Sequence, residues 1–336
     1  MMTPLQFVQK VRNRLYVMLI CRTRNRRIYP YLYRSFWHYR FSKNKNNTNT
    51  SCYYSARPNP GAGIGHQLAN WNAGYWFAKQ FGLQFAHIPF SNQKWEDFLG
   101  FGKNEMKVSD LKKKGYKVRK LPLFNEYNLN EVVTAKAIIK SYSGEKMVLI
   151  AEQDQFYSNQ YGVMDDIKQK FHNAEARQND QLFYSKEDFN IAVHIRRGDI
   201  VAGAQNGDAG FLFRWQNNEY FVNVLSEVLK TLSTSRPVVI HLFSQGKKED
   251  FQEFDQFDNI RYHLDIDPCN TFLHFVRADL LITSKSSFSY KPALLSDGIK
   301  ICPRDFWHGY PKDPNWILAD KDGMFDTNVL KKINAF

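Results

Sequence analysis

Apolar and polar positions in this chain fall into a repeating order of short hydrophobic runs and longer amphipathic stretches. Phe85–Phe90, Met147–Ala151, Ile191–Val193, Pro237–Phe243, Ile260–Leu264 and Ala278–Thr283 are brief runs rich in β-branched or aromatic residues, which predicts buried strands. Between them, Leu68, Ala69, Ala73, Phe77 and Ala78 keep helical spacing up to a stop at Gly82, and Asp165–Ala174 and Thr271–Arg277 are helical in pattern. Phe221, Val224, Leu225, Val228, Leu229 and Leu232 make Tyr220–Leu232 an amphipathic helix. Strand, loop, helix, strand is the βαβ rhythm of a parallel sheet. The polar stretches after three of the strands (Arg196–Asp199, Ser244–Gly246, Ser284–Ser289) would then share the edge where open α/β sheets hold ligands. Asp97–Asn130, Lys-rich between Lys112 and Lys120, reads as a solvated excursion, and the Gly- and Ala-rich Ile200–Trp215 as a mobile catalytic loop.

Charge changes the picture at one end of the chain. The net charge is +13, yet eleven Lys or Arg and no acid lie between Met1 and Thr50, leaving about +2 for the rest. The partner of the basic charge is therefore a partner of the N-terminus. There the charge is interleaved with Leu15–Cys21 and then with Tyr29, Tyr31, Tyr33, Phe36, Trp37 and Tyr39. The apolar run is too short to span a bilayer, and basic residues follow where a cleavage site should be, which weakens a signal peptide. Basic and aromatic residues so mixed suit the face of an anionic membrane; a basic helix packed on the protein body is the plainer alternative. No helix-turn-helix, zinc-finger or RNP motif accompanies the charge, so nucleic acid is not the expected partner. Asn44–Ser51 reads as a linker. Four scattered cysteines without CxxC spacing argue against a zinc site or a disulfide framework and fit a reducing compartment.

The chemistry concentrates where Ile191–Val193 gives way to His194, Arg196, Arg197 and Asp199, with Gly198 to turn the backbone. A strand end that delivers two arginines suits a diphosphate, because the guanidinium fork binds two oxygens and keeps its charge. Gly61, Gly63 and Gly65 form a glycine loop ahead of a helix, where backbone N–H groups can meet a phosphate or sugar oxygen. It is neither the dinucleotide fingerprint nor a P-loop. Asp265 and Asp267 are followed by Pro268 and read as a turn rather than a metal site.

These residues carry a resemblance. His194-Ile-Arg-Arg-Gly-Asp199 resembles the H-x-R-R-G-D motif of the α-1,2- and α-1,6-fucosyltransferases, shared loosely with protein O-fucosyltransferases. Gly61–Gln67 is similar to their glycine loop ending in Gln, and Ala278–Ser289 to their C-terminal strand and Ser-Ser-Phe-Ser loop; Ile301–Trp307 and Trp316–Ile317 are similar more weakly to the closing segment of the α-1,2 group. The resemblance implies an α/β GT-B fold, two Rossmann-like domains facing a cleft. It implies metal-independent, inverting transfer of fucose from GDP-fucose to a glycan or lipid-linked oligosaccharide, with no cofactor beyond the donor substrate. The linkage would be α-1,2-like. On this basis residues 1–50 are a basic aromatic segment, 51–180 an acceptor-side domain and 181–336 the nucleotide-sugar domain.

By the same resemblance Arg196 is the essential phosphate ligand, His194 and Asp199 hold the loop or touch the nucleotide, and Arg197, Gly61, Gly63, Gly65, Gln67, Ser286, Ser287, Phe288 and Ser289 line the donor site. Two positions depart from it. Thr271 stands where relatives often carry a nucleotide-binding carboxylate, with Asp267 the nearest acid, and Ala204 stands where the α-1,6 enzymes place a base, leaving Asp208 for that role. Another sugar nucleotide, or a non-catalytic glycan- or nucleotide-binding module on the same scaffold, are the alternatives. The expected location is the cytoplasm, peripheral to the inner membrane face, ahead of the Golgi lumen.

Overall fold

Tyr53–Ala56 (β1) is the central strand of the first sheet. Gln84–His87 (β2), Met106–Lys107 (β3), Lys117–Leu121 (β4) and Met147–Ala151 (β5) complete it in the order β3-β2-β1-β5-β4, every neighbour parallel. This is a computed structural model, and it describes residues 4–24, 26–43, 51–59, 61–151, 160–207 and 209–333. The expected linker Asn44–Ser51 lies outside those residues except for Ser51, and Asp208 lies outside them altogether. The chain divides into two compact units. One takes in Met1–Arg57, Ala73–Ile88 and Glu105–Tyr157; the other takes in Pro58–Asn72, Pro89–Asn104 and Ser158–Phe336, so the glycine loop groups with the C-terminal residues.

In the first unit the stretch expected to be a solvated excursion is instead built into the fold. It supplies β3, the helix Val108–Lys113 and β4, and Val108 and Leu111 pack with Ala86, Val148 and Ile150 in a core cluster. Of the lysines that suggested solvation, Lys112 and Lys113 end the helix, and Lys117 and Lys120 are exposed on an edge strand, where charge keeps the strand from pairing with another chain. The N-terminal residues pack on the same unit. The Ser35 hydroxyl donates to the Lys120 carbonyl at 2.7 Å, and the Tyr29 hydroxyl accepts from the Leu123 amide at 2.9 Å. The His38 ring stacks on Tyr142 with centroids 3.9 Å apart.

The second unit is built on Phe189–His194 (β6), buried along its whole length. Val238–Ser244 (β7), Ile260–Leu264 (β8), Leu280–Ile282 (β9), Ile299–Pro303 (β10) and Trp316–Ala319 (β11) join it in the order β8-β7-β6-β9-β10-β11, all parallel. Counted from β6, this is the doubly wound order 3-2-1-4-5-6. The chain therefore winds outward one way through β7 and β8, then returns to start the other half at β9. The crevice between the C-terminal ends of β6 and β9 is the switch point. The helix Asn218–Thr231 closes the core, burying Phe221, Val224, Leu225 and Val228 against Ile191, Val193, Ile240 and Leu242.

Local differences from the sequence expectations have local causes. Ile200–Trp215 is not an open loop: it forms the short helices Asp199–Gln205 and Ala209–Arg214. Ser284–Ser289 runs straight into the helix Ser287–Leu295, with Ser286 as its cap. Asp267 caps the helix Pro268–Arg277, accepting from the amides of Cys269 and Asn270 at 3.1 Å each, and Pro268 occupies the first turn, where a missing N–H costs nothing.

Candidate functional site

Strand β6 ends in His194, and the next residues leave the sheet at its switch point. Side chains alternate along this exit, so neighbouring residues face different surroundings. His194 stays in the interior, beside Phe275 and Phe288, with Nδ1 2.9 Å from the Ser284 hydroxyl. Burial first, then the charges of Arg196 and Arg197, push its pKa down to about 3, so the ring is neutral at pH 7.

The two arginines part company. Arg197 is buried and wholly engaged with the protein. Its guanidinium donates to the carbonyls of Arg196 (2.9 Å) and Gln216 (3.1 Å) and to Asn218 Oδ1 (2.5 Å), and it lies over the Trp215 ring at 4.5 Å. Burial lowers its pKa to about 10, with Glu253 and Asp250 pulling the other way; it remains a cation that fastens the chain after β6. Arg196 instead reaches across the switch point. Its NH1 donates to the Ser286 hydroxyl at 3.2 Å, and its NH2 meets both oxygens of Asp199 at 3.2 and 3.0 Å. About a quarter of the Arg196 side chain and more than half of the Asp199 side chain face solvent, at 23% and 59%. An exposed ion pair of this kind is weak enough for a competing anion to take over the guanidinium. Gly198 takes φ +62, a left-handed turn that a side chain would strain, and carries the chain from Arg197 to the helix that opens at Asp199.

Beyond β9, the Ser286 hydroxyl accepts from the Phe288 amide at 3.2 Å while receiving the Arg196 bond. The Ser287 hydroxyl is 2.9 Å from His308 Nε2, and the buried Ser289 hydroxyl donates to the Ser286 carbonyl at 3.3 Å. Phe288 packs among Trp95, Phe272 and Phe275 and beside the His194 ring. The Lys285 amide is held by Gln216 Oε1 at 2.7 Å, which ties this segment to the one after Arg197.

The glycine loop meets this cluster from the third side. A Cβ on Gly65 would stand 2.7 Å from the Ser287 carbonyl carbon and 2.8 Å from its oxygen, so the glycine is what lets the helix Ile64–Gln80 approach the Ser287 backbone. Around Gly61 and Gly63 a Cβ would meet nothing within 4 Å. Gln67 is turned inward: its amide donates to the Ala62 carbonyl (2.8 Å) and Ser91 Oγ (2.7 Å) and accepts from the Ser91 amide (3.0 Å). It shapes the loop and leaves no polar atom facing outward.

Of the residues named from the sequence, the structure thus gathers His194, Arg196, Asp199, Gly65, Ser286, Ser287 and Phe288 at the switch point. Arg197 and Gln67 lie alongside as supports. Asp208 lies outside the described residues. Sequence reasoning missed Ser284, Gln216, Asn218 and His308, all of which hold a member of the cluster. Asp267, the acid nearest the departed position Thr271, pairs with Lys94 while capping its helix, and Asp265 accepts from the Gly246 amide at 3.2 Å. Among the described residues no group of three or more His, Cys, Asp or Glu could hold a metal ion.

No family model matches this chain, and no curated protein matches it. Solved structures to which it is similar are fucosyltransferases. One is POFUT1 in complex with GDP, 13% identical, with 75% of this chain and 98% of that one covered and a TM-score of 0.44. Another is fucosyltransferase NodZ from Bradyrhizobium, 10% identical, with 74% and 93% covered and a TM-score of 0.40. A third is a mutant of FUT1 from Arabidopsis thaliana in complex with GDP, 9% identical, with 81% and 75% covered and a TM-score of 0.44.

Proposed function

We propose that this protein is a GT-B glycosyltransferase that moves fucose from GDP-fucose to a hydroxyl of a glycan acceptor, with inversion, without a metal, and with an α-1,2-like linkage. The observation that carries the reading is the Arg196 bridge over the switch point, from the end of β6 to the Ser286 cap after β9. That crevice is where doubly wound sheets take nucleotides, and a guanidinium is the group matched to a diphosphate.

In this reading the bond from the sugar's anomeric carbon to the diphosphate breaks as the acceptor oxygen forms its bond on the opposite face. Negative charge grows on the departing GDP. Arg196 binds that charge more tightly as it grows, which lowers the barrier rather than merely holding substrate. As the guanidinium turns from Asp199 to the diphosphate, the Asp199 carboxylate is released. It and Asp208 are the carboxylates we assign to the acceptor's proton, which needs an acceptor within hydrogen-bond reach. Neutral His194 supports the loop without adding charge, and Gly61 and Gly63, around which there is open space, offer backbone N–H groups to the donor.

The test is thermal stabilisation by GDP, UDP, ADP and CDP, with and without EDTA, on wild type and Arg196→Ala. A ligand at a hundred times its Kd stabilises by about 2.7 kcal/mol, which for a domain of this size raises the melting point by several degrees, about 5–10 °C. The expected result is a shift with GDP alone, unchanged by EDTA and lost in the variant. A shift with a different nucleotide keeps the fold and discards fucose. GDP binding without turnover on any glycan acceptor points to a binding module, and an Arg196→Ala protein as active as wild type overturns the mechanism.

A further inference from the structure

We propose that residues 4–43 dock the first unit on an anionic lipid bilayer, with the helix Pro4–Thr23 lying along the interface. The helix has two faces. On one, Ile20 is buried and the Tyr16 ring lies beneath the Lys120 ammonium at 5.0 Å, so that face rests on the unit. On the other, Val8, Val11, Leu15 and Met18 follow one another at three- and four-residue steps, with Leu19 four residues from Leu15, and form a single stripe. All are exposed, Val8 by 64%, Leu15 by 57% and Met18 by 48%. A second apolar exposure follows. Trp37 and Phe41 stack with centroids 5.8 Å apart, the Trp37 indole N–H donates to the Tyr31 carbonyl at 2.8 Å, and Phe41 is 76% exposed.

Charge complementarity selects the occupant. Arg12, Arg14 and Arg22 are exposed on the helix itself, and Arg26, Arg27, Arg34, Arg40 and Lys43 are exposed after it. No acid interrupts them in the first fifty residues. An apolar stripe bordered by unbroken positive charge matches the boundary between anionic headgroups and acyl chains, where arginine stems extend along the apolar zone and their heads meet phosphate. Among the described residues no helix is long and apolar enough to cross a membrane, so this one lies in the plane of the interface. A polynucleotide would use the arginines but has no use for the stripe.

The experiment is co-sedimentation of the full chain with vesicles of phosphatidylcholine alone or with three-tenths phosphatidylserine, at low and high salt, with polyuridylic acid as the rival ligand. Two variants separate the contributions: Leu15→Asp with Met18→Asp, and Arg12→Gln with Arg14→Gln and Arg22→Gln. These side chains face solvent, so both variants are expected to melt with wild type, and the melt verifies folding. Wild type is expected to pellet with the anionic vesicles and to be released by salt. The arginine variant loses affinity on the order of 100-fold, at about fivefold for each of the three charges removed. The stripe variant weakens vesicle binding at least about tenfold, since the buried apolar area is replaced by charge. Failure of wild type to bind anionic vesicles overturns the proposal, as does a folded stripe variant that binds like wild type. Binding to the polynucleotide that depends on the arginines but ignores Leu15→Asp and Met18→Asp also overturns it, in favour of nucleic acid.

Discussion

Replacing Gly65 by alanine tests whether the glycine loop works by contact or by openness. The added methyl would enter at 2.7 Å from the Ser287 carbonyl carbon and 2.9 Å from its Cβ, and the obstacle is backbone inside a capped helix, which cannot rotate away. Overpacking of this kind costs about 1–3 kcal/mol. The helix itself gains from losing a glycine, by up to about 1 kcal/mol in an interior position and less in the first turn, where Gly65 sits. The net expectation is a loss of about 1–2 kcal/mol, read as a lower urea midpoint with an unchanged slope. Because the obstacle is Ser287, next to the Ser286 hydroxyl that receives Arg196, the same variant is expected to weaken GDP stabilisation beyond what the melt alone explains. Gly63→Ala is the control: a methyl there meets nothing within 4 Å, and its φ is not in the left-handed range, so stability is unchanged or rises by about half a kcal/mol. If Gly65→Ala melts with wild type and binds GDP as well, or if Gly63→Ala loses as much, the close approach is not what this glycine is for.

Two further expectations follow from the same residues. Arg197→Ala strands the buried carbonyl of Gln216 and the part-buried Arg196 carbonyl and Asn218 amide oxygen, so it is expected to lose about 3–5 kcal/mol whatever the ligand, and Arg197→Lys to recover little because a lysine cannot reproduce the fork; a urea melt of each that matches wild type would refute this. Acid is expected to unfold the second unit early. Burial pushes His194 and His241 down to about 3 and His308 to about 2, with Arg196 and Arg197 adding to the first, His263, Arg261 and His274 to the second, and Lys291 and His66 to the third. The unfolded chain then binds protons first as pH falls below 6.5. Stability present above that value is lost progressively toward pH 3, by about 2 kcal/mol per histidine at pH 5. Carboxylates such as Asp297, held low by the Lys168 hydrogen bond, give way only further down. Urea midpoints equal at pH 7.5 and pH 5 would contradict this.

The strands that were legible are those whose two faces are both covered. Phe189–His194, Val238–Ser244 and Leu280–Ile282 are buried throughout or nearly so, and a parallel strand covered on both faces has to be an unbroken apolar run. Lys117–Leu121 was illegible for the opposite reason: at the sheet edge only Leu121 is fully buried, and Lys117, Arg119 and Lys120 fill most of the strand with charge. The short helices Asp199–Gln205 and Ala209–Arg214 were hidden by glycine and alanine, which read equally as loop. Within the site, the arginines were legible and their supports were not. Gln216 and Asn218 hold Arg197 from positions 19 and 21 residues away, and Ser284 meets His194 across 90. Nothing in the local sequence marks such a residue, because what selects it is the return of the chain to the same sheet edge.

That return also explains why two adjacent arginines carry different duties. Arg196 and Arg197 follow the end of β6, in backbone that has left the strand, and their side chains lie in different surroundings. One side here is filled by the loop that follows, so Arg197 is desolvated and consumes its donors on carbonyls and an amide oxygen. The other side is the crevice, where the partly exposed Arg196 fork is held, among the described residues, by Asp199 and Ser286. Of the doubled arginine at the switch point, Arg197 fastens the chain, while Arg196 lies beside Ser286 with its charge balanced by Asp199 and His194 held neutral.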